Sequence, residues 1–139
     1  MSEEKSKRDA LRWFRTAQSD FEAASLLLRE GKHSHACFLF QQSAEKAMKA
    51  IFRLYGVDPW GHSVRKLIDH LKDIGEELYE DFKPLIEEAI YLDRFYIPAR
   101  YPDGLPGLIP DEAFTARDSQ EAMSITLKVL NKVKQRLEV

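Results

Sequence analysis

The first thirty positions carry a set of apolar residues at Ala10, Trp13, Phe14, Ala17, Phe21, Ala24 and Leu28. Steps of three and four place them on one stripe of an α-helix. Gly31 predicts its end, because glycine accepts the left-handed geometry that closes a helix. A second helix is expected from about His33 to Tyr55, stopped by Gly56 and Pro59. Its stripe is Ala36, Phe40, Ala44, Ala47, Ile51 and Tyr55, while Phe38, Met48 and Phe52 add apolar surface on other flanks. A helix apolar over most of its circumference belongs at the centre of a bundle.

Ser63 stands just ahead of Val64, Leu67, Ile68 and Leu71 and predicts the N-cap of a short third helix that Gly75 breaks. A fourth follows from about Glu76, with Leu78, Phe82, Leu85, Ile86, Ala89 and Ile90 facing inward, and Pro84 predicts a kink or restart within it. Between residues 98 and 110 the chain holds Pro98, Pro102, Pro106 and Pro110 with Gly104 and Gly107, which excludes a regular helix there. The last helix is expected from Asp111 or Thr115, where Thr115 with Asp118 resembles a capping box, and it carries Met123, Leu127, Leu130 and Leu137 on one side. No stretch alternates with period two for long enough to argue for a strand. The fold class is therefore all-α: an antiparallel up-and-down bundle of four to five helices, with a Pro/Gly-rich loop before the last and one domain over residues 1–139.

Composition narrows the class of function. Of 139 residues, 44% are hydrophobic and 32% charged, the balance of a soluble globule, and a net charge of −2 argues against binding nucleic acid by bulk electrostatics. Any phosphate contact has to come from a local basic patch. The single Cys37 permits no intrachain disulfide, which suits a reducing cytoplasm. The charged N-terminal stretch predicts no secretory leader, and no apolar run approaches the roughly 20 residues of a membrane span.

The expectation for chemistry is no catalytic residue, no metal and no cofactor. P-loop, G-x-S-x-G, C-x-x-C and H-E-x-x-H patterns are absent from the sequence. His33 and Cys37 share a helical face but fall short of the three or four ligands of a zinc site. Arg65 and His70 would diverge by about 140° around a helix. The acidic run Glu76, Glu77, Glu80, Asp81, Glu87 and Glu88 reads as a solvated face. Gln42, Lys46, Lys49 and Arg53 form a basic stripe that could meet phosphate, or could lie solvated with Glu45–Lys49 as a helix-supporting pair. Arg94, Arg100 and Tyr101 border a stiff proline-rich loop, where Arg offers a fork for phosphate and Tyr a face for a base. Against that stands packing of Tyr101 and Pro102 onto the bundle, with Arg100 paired to an acid. His62 reads as a helix-start cap.

Four elements in order carry a resemblance. They are Trp13, Phe14, Asp20 and Ala24 in the first helix; Ala36, Cys37, Phe38, Gln41, Gln42, Ala44, Glu45, Lys46, Lys49 and Ala50 in the second; His62 ahead of Val64, Leu67 and Leu71; and Arg100-Tyr101-Pro102. Over nearly the whole chain this resembles the HEPN family, similar in fold to the substrate-binding helical domains of nucleotidyltransferases. The resemblance implies a homodimer, nucleotide or RNA binding through Arg100, Tyr101, Arg94, Lys46, Lys49 and Gln42, a nucleotidyltransferase partner, and a toxin–antitoxin or defence setting. Family ribonucleases carry R-x(4–6)-H at the start of the last long helix, and no histidine follows Arg94 here. The reading is thus a non-catalytic binding domain, with a metal-independent ribonuclease or a protein-interaction module as alternatives. Leu105, Leu108 and Ile109 would supply the apolar surface of such a module.

Overall fold

The computed structural model describes residues 2–139 and is helical throughout its regular parts. Three long helices dominate: α1 (Glu3–Arg29), α2 (His33–Leu54) and, at the end of the chain, α7 (Ala116–Leu137). Between them lie α3 (Val64–His70), α4 (Glu76–Phe82), α5 (Ile86–Asp93) and the single turn α6 (Pro110–Ala113). The kink expected at Pro84 is a short 3-10 turn, Lys83–Leu85, that joins α4 to α5. The alternatives of Asp111 and Thr115 for the last start are both used. Pro110 opens α6, and α7 begins behind Thr115, whose N–H donates to Asp118 Oδ2 at 2.9 Å. Among the described residues, no helix is long and apolar enough to cross a membrane.

Local chemistry fixes the ends. Ser2 Oγ accepts from Lys5 N–H at 3.2 Å, and Glu3 and Glu4 complement the positive end of the α1 dipole. Gly31, at φ +78°, makes the turn that reverses the chain into α2. Ala10, Ala17 and Ala24 on α1 are fully buried, as are Ala36, Ala44, Ala47 and Ala50 on α2. Small side chains on both facing strips let the two helices approach closely.

Hydrogen bonds reveal the direction of the rods. Ser119 and His33 meet at 2.8 Å, and Thr126 Oγ1 donates to the Phe40 carbonyl at 3.1 Å, both pairs 86 residues apart. A constant offset means that α7 runs parallel to α2. In contrast, Lys128 pairs with Glu88, and Lys132 and Arg136 with Asp81, so α4–α5 runs antiparallel to α7. With α1 also antiparallel to α2, the rods α1, α2, kinked α4–α5 and α7 alternate up and down. The helix α3 is a side link.

One cluster of buried side chains joins all four rods, centred on Phe40, Met48, Ile51, Leu67, Ile68, Phe82, Leu92, Ile125 and Val129. The link α3 is held by a capping residue from outside its own sequence. Asp93 Oδ1 accepts from Val64 N–H at 2.8 Å, Oδ2 from Arg65 N–H at 3.0 Å and from Ser63 Oγ at 2.8 Å, and Gln41 Nε2 reaches Oδ1 at 3.2 Å. Ser63 meanwhile caps α3 as expected, accepting from Lys66 N–H at 3.1 Å.

Two expectations follow. Asp93→Ala removes the acceptor for two helix-start N–H groups and unpairs part of buried Gln41, and should cost about 2–3 kcal/mol in urea unfolding. A cost under about 0.5 kcal/mol would show that water replaces the carboxylate. Burial pushes Asp81 up, but hydrogen bonds from Arg136 and Lys132 outweigh that and hold its carboxyl below the usual range. A depressed carboxyl contributes stability above its unfolded pKa and loses it as pH falls through the folded one. The melting-temperature gap between native and Asp81→Asn should therefore be present at pH 7 and close as pH falls through and below the ordinary carboxylate range.

Candidate functional site

The stretch after α5 is short of regular structure but not loose. Arg100 N–H and Tyr101 N–H both donate to the Ile97 carbonyl, at 3.0 and 3.1 Å, which winds residues 97–101 into one turn. Pro102 cannot donate and ends it. Because Arg100 lies four residues after Tyr96, its Nε reaches the Tyr96 carbonyl at 2.9 Å. The guanidinium carbon then sits 4.4 Å from the Phe38 ring centre, 4.7 Å from that of Tyr96 and 5.1 Å from that of Tyr101. Such contacts hold a cation over aromatic faces without neutralising it.

Arg100 is exposed, and no carboxylate pairs with it among the described residues. The anticipated alternative, an acid partner for Arg100, is not what the fold supplies. Tyr101 is half exposed, so its packing against the bundle is partial. The two terminal nitrogens of Arg100 remain as a fork in fixed orientation.

The basic stripe of α2 is different. Lys46 Nζ is 2.6 Å from Asp20, and Lys49 Nζ 3.1 Å from Glu45. Arg53 reaches Asp9 at 3.3 Å and Asp58 at 2.9 Å. Lys49 and Arg53 also lie over the Trp13 ring. Gln42 donates to Gln41 Oε1 at 2.8 Å and to Glu45 Oε1 at 3.3 Å. The structure therefore engages Gln42, Lys46 and Lys49 with internal partners. Arg94 is exposed over the Tyr91 ring at 5.6 Å, and it borders a cavity of about 630 Å³ that Asp118 also lines.

His62 departs from expectation. Ser63 and Asp93 cap α3, and His62 instead stacks flat on Tyr96, ring centres 5.0 Å apart and planes 15° from parallel. Its Nδ1 lies 3.3 Å from Glu45 Oε2. Glu45 is only 3% exposed, so a buried carboxylate orients a half-exposed imidazole beside the ring that also carries Arg100. Sequence reasoning missed His62, Tyr96 and Glu45 as members of this group. The one signal was the spacing of four between Tyr96 and Arg100; the spacing between Glu45 and His62 says nothing of contact.

Remaining candidates separate. Arg65 pairs with Asp69 at 3.1 Å while His70 is exposed. His33 is engaged by Ser119, and Cys37 is buried. Burial, aided by the negative Asp118, pushes the Cys37 thiol up to about 12. Burial and Asp118 likewise push Tyr91, whose hydroxyl donates to that carboxylate at 3.3 Å, to about 12. Neither is a nucleophile or a base at neutral pH.

Comparison with known proteins gives the same outline. The model of the HEPN domain matches residues 10–136. A protein named "Putative toxin MJ1304", from Methanocaldococcus jannaschii, is 29% identical over 128 residues, covering 88% of this chain and 84% of its own length. The crystal structure of TT1696 from Thermus thermophilus superposes with a TM-score of 0.81 at 33% identity, covering 91% of this chain and 97% of that one. That of ST0689, described as an archaeal HEPN homologue, gives a TM-score of 0.73 at 33% identity, covering 92% and 97%.

Proposed function

The chain belongs to the HEPN domain family, and on that footing we propose that it is a non-catalytic binding domain that takes the phosphate of a nucleotide or RNA on Arg100. The observation that carries this reading is the fixed, unneutralised guanidinium: Nε committed to the Tyr96 carbonyl, three rings around the cation, and its terminal nitrogens turned to no carboxylate among the described residues. A planar fork suits a phosphate bidentately. Tyr101, half exposed beside it, offers a face on which a neighbouring base of an RNA strand stacks. Arg94 borders the neighbouring cavity and extends the cationic character of the segment. Lys46, Lys49 and Gln42 serve at most at the margin, since a ligand must first displace Asp20 or Glu45.

The proposal includes one cytoplasmic domain that forms a homodimer and has a nucleotidyltransferase as separate partner. Family membership supports these, and exposed Leu108 and Ile109 supply apolar surface for a partner. The toxin name of the Methanocaldococcus jannaschii relative supports a toxin–antitoxin setting. Titration calorimetry with ATP, GTP and a short single-stranded RNA tests the site. Arg100→Ala should weaken binding at least tenfold, about 1.4 kcal/mol, and Lys46→Ala less than about twofold. Equal affinity of native and Arg100→Ala, or no binding by the native chain, removes the site.

A second reading, a metal-independent ribonuclease, is favoured by the Glu45–His62 pair next to Tyr96 and Arg100. Glu45 would hold the imidazole and His62 would take the proton of an RNA 2′-hydroxyl. The 2′-oxygen would then bond to phosphorus, and the 5′-oxygen would leave with a proton from water, giving a 2′,3′-cyclic phosphate. Labelled RNA incubated in EDTA separates the readings. Cyclic-phosphate ends that His62→Ala abolishes, with Glu45→Gln at least tenfold slower, would establish the enzyme. Intact RNA would leave the binding domain.

A further inference from the structure

Beside Arg100 the surface opens into a cleft of about 380 Å³, between the start of α2, the last turns of α1 and the strap leading into α6. Leu27, Phe38, Leu39, Ile109 and Pro110 make its walls mainly apolar. Its size falls at the lower end of the range of small-ligand sites, roughly 300–1,000 Å³. Phe38 is both a wall of this cleft and the ring nearest the Arg100 guanidinium. An anion held on Arg100 therefore has its next group at the mouth of the cleft.

The polar groups on the rim are few. His35 is exposed, and its Nδ1 lies 3.5 Å from Oγ of the buried Ser34. Asp111 also lines the cleft, exposed and with its carboxylate in no hydrogen bond or ion pair among the described residues. The adjacent Glu112 shows the contrast, since its Oε1 accepts from Ile109 N–H at 3.1 Å and so holds the turn together. Local structure thus accounts for Glu112 and leaves the Asp111 carboxylate unoccupied.

An apolar slot with a cation at its mouth and an unpaired carboxylate on its rim suits a flat, apolar-faced ring that carries an anion and donates hydrogen bonds from its edge. An aliphatic acid would use Arg100 and the walls but leave Asp111 unpaired. A nucleotide uses all three. Among the bases, guanine presents two adjacent donors, N1–H and N2–H, that the two oxygens of one carboxylate receive together; adenine and cytosine present one amino group and uracil one N–H. We propose that this cleft is a nucleobase pocket and that Asp111 is its specificity-determining residue, selecting guanine. The inference rests on the reading of Arg100 as the phosphate site.

Calorimetric titrations with GMP, AMP, CMP, UMP and inorganic phosphate test it. The native chain should bind GMP roughly tenfold tighter than AMP. Asp111→Asn should weaken GMP about tenfold and leave inorganic phosphate unchanged. Leu39→Trp, which fills the cleft, should weaken every nucleotide without changing inorganic phosphate, with a thermal melt confirming that the variant is folded. Four nucleotides of equal affinity, all dependent on Arg100 and indifferent to Asp111→Asn and Leu39→Trp, would overturn the pocket and leave the phosphate site standing. No binding by any nucleotide or by phosphate would overturn both.

Discussion

The structure is organised by the need to satisfy polar side chains on a helix that has almost no exposed face. Gln41, Ser43 and Glu45 follow one another on α2 with 0%, 0% and 3% exposure. Left unpaired in such a place, each would cost on the order of 1–3 kcal/mol. Each instead reaches a different neighbour. Ser43 Oγ donates to the Ala17 carbonyl on α1 at 2.7 Å. Gln41 Nε2 donates to the His62 carbonyl at 2.9 Å and to Asp93. Glu45 accepts from Lys49 and Gln42 and orients His62. Apolar packing brings the rods together, and these bonds settle which part of each neighbour lies against the middle of α2.

That constraint reaches the surface. Because Gln41 and Asp93 pin the start of α3 and the end of α5 to the same place, the segment leaving α5 must begin beside α2. Tyr96 then falls on His62, and the turn over 97–101 lays Arg100 across Tyr96 and Phe38. A long side chain loses up to about 2 kcal/mol of rotamer freedom when fixed. Here the aromatic rings and the Tyr96 carbonyl offset that cost during folding. A stiff cation is the result of a buried amide two elements away.

Much of the architecture was legible because it depends on short-range patterns. The stripes of α1, α2 and α7, the cap at Ser63, the stops at Gly31 and Gly75 and the restart at Pro84 all follow from residues a few positions apart. The parallel run of α2 and α7 did not, since it rests on pairs such as His33 with Ser119 that are 86 residues apart. The site shows the same division. Arg100 and Tyr101 could be singled out from the proline-rich loop that holds them. His62 could not, because its role comes from Glu45 and Tyr96, and nothing near it in sequence marks either. Asp93 reads as one more acid at a helix end, yet it is the cap of another helix.

The contrast between the two sets of cations shows why charge pattern alone misjudges function. By residue type, Lys46, Lys49 and Arg53 make the denser basic patch, on a rigid helix. Asp9 and Asp20 on α1 stand opposite them, and the antiparallel pairing of α1 with α2 makes that neutralisation a consequence of the fold. Arg100 is a single cation on a connecting segment, but the groups around it are rings and a carbonyl. Rings and carbonyls position a guanidinium without cancelling it, whereas carboxylates do both. What makes a cation available for an anion is therefore the chemistry of its immediate neighbours. On that measure it is Arg100, and not the stripe on α2, that the fold leaves without a neutralising partner among the described residues.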